Sequence, residues 1–122
     1  MQKYTDSTSM TPPNFLGNHP PIMKPGTLAS TGSIQELKGG LVLGKVSASG
    51  KFVPFNPAGG DGSEIAVTIL PADISVPAAG DENSPLYAHG SFREAGLDFG
   101  SANEAQIVAA IANLEAKGLY VL

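Results

Sequence analysis

The sequence has no cysteine and no tryptophan. Without cysteine there are no disulfides, no thiolate metal sites and no cysteine nucleophile. Histidine is scarce: His19 and His89 lie 70 positions apart, and neither has the i, i+4 partner of a zinc-binding helix. Positive charge is also short, with seven Lys and Arg against eleven Asp and Glu, a net charge of −4. An acidic chain is poorly suited to nucleic acid, which needs a basic surface to displace counterions. No stretch approaches 18 apolar residues, so a membrane-spanning helix is not expected. "MQKYTDSTSM" has no apolar run behind its lysine, so it is not read as a secretory signal. The expectation is a protein that stays where it is made, with no nucleic-acid or membrane partner.

Hydrophobic residues make up 42% of the 122, enough for a folded core. Ten prolines and fifteen glycines point to turns and extended chain. Composition changes near residue 38. Residues 1–38 hold Pro12, Pro13, Pro20, Pro21 and Pro25, with a net charge of about +1, and the remainder is strongly acidic. Proline fixes its own φ and pushes the preceding residue toward extended conformations. Residues 1–33 therefore read as an extended arm without a core of its own. Tyr4, Met10, Phe15, Leu16, Ile22, Met23 and Leu28 punctuate it with apolar side chains.

The rest, residues 39–122, reads as mainly β. "GGLVLGKV" (39–46) and "KFVPF" (51–55) are short apolar runs joined by the turn "SASG". "NPAGGDG" (56–62) is a loop, "SEIAVTIL" (63–70) a strand, residues 71–85 a further loop and "LYAHGSF" (86–92) another strand. One helix is expected near residues 102–117. Ser101 and Glu104 form an S-x-x-E capping pattern. Ile107, Val108, Ile111 and Leu114 follow as an apolar face, Lys117 suits the last turn, and Gly118 the position after it. "LYVL" closes the chain as a strand. So small a body is near the lower limit for burying a sufficient core, which favours an oligomer.

No catalytic constellation emerges, and no cofactor is expected. Gly39, Gly44 and Lys45 imitate a phosphate-binding loop, but Val46 stands where the Mg²⁺-binding hydroxyl belongs. The interior residues Leu41–Leu43 are bulky, and a turn rather than a helix follows. The acidic residues are dispersed and match no EF-hand spacing, and there is no G-x-S-x-G elbow.

The run "LKGGLVLGKVSASGKFVPFNPAGGDGSEIAVTIL" (37–70), with "LYAHGSFREAGLDF" and the terminal "GLYVL", resembles the tailed-phage head decoration proteins. The order and spacing of the whole set carry the likeness, over about residues 34–122. The resemblance implies a β-clip-like small barrel of α+β content, with one C-terminal helix and an extended N-terminal arm. It also implies a homotrimer on the outer surface of the expanded capsid, made in the host bacterial cytoplasm. The trimer would bind the major capsid protein at local three-fold positions and resist the pressure of packaged DNA. On this reading residues 1–38 are a capsid-binding arm and 39–122 the decoration domain. Pro12, Pro13, Pro20 and Pro21 stiffen the arm, and Phe15, Leu16, Ile22 and Met23 anchor it. Thirty extended residues reach on the order of 100 Å at most. The rival readings are a trimeric β-clip nucleotide hydrolase, which lacks its carboxylate set here, and a virion surface module for host or sugar. Three tyrosines and five phenylalanines, thinly scattered, favour neither.

Overall fold

A computed structural model describes residues 22–122. Eight strands and one helix follow in order: β1 (Ile22–Leu28), β2 (Gln35–Leu37), β3 (Val42–Lys45), β4 (Phe52–Pro54), β5 (Ala66–Ile69), β6 (Ile74–Val76), β7 (Glu82–Phe92), α1 (Glu104–Ala116) and β8 (Leu119–Val121). A single 3₁₀ turn, Glu94–Gly96, lies between β7 and α1. Six strands form one sheet in the order β5-β3-β4-β1-β7-β8, and β2 pairs with β6 in a small second sheet. The large sheet curls until its members nearly meet. Thr68 on β5 donates its hydroxyl to Tyr87 O on β7 at 2.6 Å, joining strands that are not ladder neighbours. The result is a mainly β, nearly closed small barrel with one C-terminal helix.

Alternation along the strands sends side chains to two apolar layers. Val42 and Ile69 pack with Tyr87, Phe92, Leu114 and Leu119 beneath α1. Their neighbours Leu43 and Leu70 point the other way, onto Leu28, Val76 and Leu86. The β2–β6 pair covers this second layer with Leu37 and Ile74. Both faces of β3 and β5 are therefore covered, which is why "LVL" is a continuous apolar run and why Ile69 and Leu70 are both buried although they point to opposite faces.

The turn "SASG" lies where expected, with Gly50 N–H bonding Val46 O at 2.8 Å. Three expectations are corrected. Residues 71–85 are not all loop: β6 lies within them, and β7 begins at Glu82, four residues before the expected start. The pattern there is broken by Pro77 and Pro85, and β6 is only three residues long, so no local periodicity marks it. Residues 22–28 are extended, but they are a strand of the body, and Leu28 is 1% exposed in the core. The chain enters the sheet well before the glycines at 39 and 40.

The third correction concerns the helix start. The capping box is formed by Asn103 and Gln106, not by Ser101 and Glu104. Asn103 Oδ1 accepts from Gln106 N–H at 2.9 Å, and Gln106 Oε1 accepts from Asn103 N–H at 2.8 Å. Ser101 is held in the preceding turn, where Asp98 accepts from Gly100 N–H at 2.8 Å. Glu104 becomes the first helical residue, suited to the positive end of the dipole. On the inner face Leu114 and Ala110 are buried, and Ile107 and Ile111 pack partly against the core. Val108 is 64% exposed, because it stands roughly 120° around the helix from Leu114. Lys117 is the C-cap, and Gly118 follows at φ +90°, the left-handed conformation that ends helices.

Candidate functional site

The phosphate-loop imitation dissolves in the fold. Gly44 is the third residue of β3, beside a bulge in the β3–β5 ladder. A Cβ there would lie 2.5 Å from Ser63 O and 2.6 Å from Ser63 Cα. Glycine is needed for this close backbone approach, not for a ligand. Gly39 N–H donates to Asp73 Oδ1 at 2.8 Å, and Lys45 Nζ lies 5.6 Å from the Phe52 ring centroid.

The acidic loops are tied down by hydrogen bonds and an ion pair. Asp61 Oδ1 accepts from the Ser63 hydroxyl at 2.5 Å and from Ser63 N–H at 3.1 Å. These bonds, the hydroxyl first, hold the Asp61 carboxyl below its ordinary value of 3.8. Asp81 bonds Lys51 Nζ at 2.6 Å and accepts from Ser30 N–H at 2.7 Å. Lys51 first, and Ser30 after it, lower the Asp81 carboxyl too. Burial raises the Tyr87 hydroxyl. His89 meets Tyr120 edge-on, with ring centroids 5.9 Å apart. Among the described residues, no group of three His, Asp or Glu could hold a metal ion, and no helix is long and apolar enough to cross a membrane.

Of the residues expected to anchor the arm, Pro12, Pro13, Phe15, Leu16, Pro20 and Pro21 lie outside the described residues. Ile22 and Met23 open β1, opposite His89 and Tyr87 with a bulge between them, and are 56% and 45% exposed. Met23 lines a shallow groove of about 310 Å³ with Pro25, Asn83 and Pro85. Ile22 and Met23 thus present apolar side chains to solvent at the start of β1.

A larger feature escaped sequence reasoning. β1 meets β4 only at Leu28 opposite Phe52, and beyond that pair the strands diverge. The gap is a cleft of about 600 Å³, walled by β1, the β3–β4 hairpin, β5 and β7. Lys24, Lys45 and Lys117 line it, and no acidic side chain is among its lining residues. The three lysines are far apart in sequence, so nothing local signals their convergence.

The family model for Bacteriophage lambda head decoration protein D matches residues 8–119. The chain belongs to this family. A head decoration protein is a structural protein of the phage capsid, carried on the outside of the head, and this chain's role is capsid decoration. No curated protein matches the chain. The match begins at residue 8, so it takes in much of the proline-rich segment ahead of β1 as well as the decoration protein's barrel.

Proposed function

We propose that the chain forms a homotrimer on the outer surface of the expanded phage head. It sits at local three-fold positions, binds the major capsid protein and stabilises the shell against the pressure of packaged DNA. The observation that carries this reading is the family match over residues 8–119, which includes the arm residues Pro12 to Pro21. A proline-punctuated segment builds no core but lies readily along a partner, offering backbone groups to a strand edge and apolar side chains to pockets. Ordering such a segment costs entropy, so one arm binds weakly, and three arms on one trimer bind far more strongly. Phe15, Leu16, Ile22 and Met23 are the proposed anchors, with Pro12, Pro13, Pro20 and Pro21 stiffening the path.

The fold dictates where to cut. Removing residues 1–25 would also strip Ile22–Pro25 from their pairing with β7. Deleting residues 1–21 spares the ladder. That truncated protein should keep the melting temperature of the full chain and lose most binding to expanded heads, read by co-sedimentation. Full occupancy of the heads by the truncated protein would defeat the arm's proposed role.

A further inference from the structure

Resting on the trimer reading above, we propose that the lysine-lined cleft receives the outward face of α1 from a second copy, so that Lys45 and Lys117 meet Glu104 and Glu115 across the subunit contact. The cleft concentrates positive charge in a chain whose net charge is −4. Lys38 and Lys51 are paired with Asp73 and Asp81, whereas no described residue forms a salt bridge with Lys24, Lys45 or Lys117. Three like charges around one cavity repel one another unless an anion answers them.

The backbone bordering the cleft argues against an added strand. Pro25 faces Pro85 in the β1–β7 ladder. Neither has an N–H, so this is a non-hydrogen-bonded pair, in which Pro25 would otherwise direct a donor toward the cleft. That donor is missing, and Lys24 stands beside it, as on strand edges protected from pairing. Recognition in the cleft therefore falls to side chains.

The outward face of α1 supplies them. Glu104 and Glu115 are exposed, and neither forms a salt bridge with a described residue. Between them Val108 is 64% exposed, and Ala105, Ala109 and Ala112 keep the surface low. Phe52 and Leu86 give the cleft an apolar floor for Val108. The helix ends at Lys117, on the cleft's rim, so the two surfaces adjoin on each copy. A contact between unlike surfaces repeats from copy to copy, and closes into a ring when the rotation allows.

The test is the mass of the full-length protein by sedimentation across a concentration and salt series. The wild type should be a trimer whose dissociation constant rises with NaCl. K45E/K117E should weaken assembly on the order of a hundredfold, as should E104K/E115K. The quadruple variant, with both surfaces reversed, should recover the trimer. K45A/K117A, should the reversed cleft not fold, is expected to weaken assembly by on the order of tenfold. Cleft variants that assemble like the wild type, or a quadruple variant that stays monomeric while folded, would overturn the contact. A wild type that is monomeric at every concentration would overturn the contact as one the free protein makes, whereas the trimer reading beneath it is read separately, from the density over the three-fold positions of decorated heads.

Discussion

Gly44 and Gly60 sit in the same half of the chain with opposite roles. A methyl group at Gly44 runs into the backbone of Ser63, whereas nothing lies within 4 Å of one at Gly60. Gly44→Ala should therefore destabilise the fold by about 1–3 kcal/mol, the usual cost of overpacking. Gly60→Ala should be neutral or stabilise by up to about 1 kcal/mol through the unfolded chain. Thermal denaturation of the two variants reads both, and equal losses would contradict the close approach of β3 to Ser63. Asp81 makes a different residue-scale prediction. Lys51 and Ser30 depress its folded-state pKa below 3.8. Its contribution to stability is therefore complete above pH 3.8 and fades as pH falls through the lower folded value. Lys51→Ala should bring the Asp81 titration, followed by carboxyl NMR, back toward 3.8. An unchanged titration would show that the ion pair does not set it.

At the scale of elements, α1 tests how capping is chosen. Ser101 with Glu104 and Asn103 with Gln106 both satisfy a capping pattern, and the fold uses the second, with Ser101 in the turn that precedes it. Asn103→Ala should cost about 1 kcal/mol, and Ser101→Ala less than about 0.5 kcal/mol. The reverse order in chemical denaturation would contradict the observed cap. The same helix shows what was legible in sequence and what was not. Its existence, its end at Gly118 and most of its inner face follow from local spacing, whereas Val108 shares the apolar chemistry but not the angle. β3, β4, β5 and β8 were legible because short apolar runs lie between strong turn signals. β1 was not, because Pro25 and Gly26 lower its strand character. The pairing with β7 that makes it a strand joins residues about 60 positions apart. β6 was hidden for a like reason: three residues among prolines become a strand only when β2 is beside them.

For the whole molecule, the absence of a catalytic constellation in sequence and the likeness of residues 34–122 to decoration proteins pointed the same way. The family match over residues 8–119 supports that direction. The lysine-lined cleft was illegible because it exists only where β1 and β4 part, bringing positions 24, 45 and 117 around one opening. On this account the barrel supplies a stiff body, the cleft and α1 join copies, and the segment ahead of β1 reaches the capsid. The most direct measurement is an image reconstruction of expanded heads decorated with this protein. The account predicts three-lobed density on the outer surface over every local three-fold position, each lobe fitted by one barrel, with a strand of density running from Ile22 onto the neighbouring capsid subunit. Density absent from the three-fold positions, or lobes present there as isolated single copies, would contradict it.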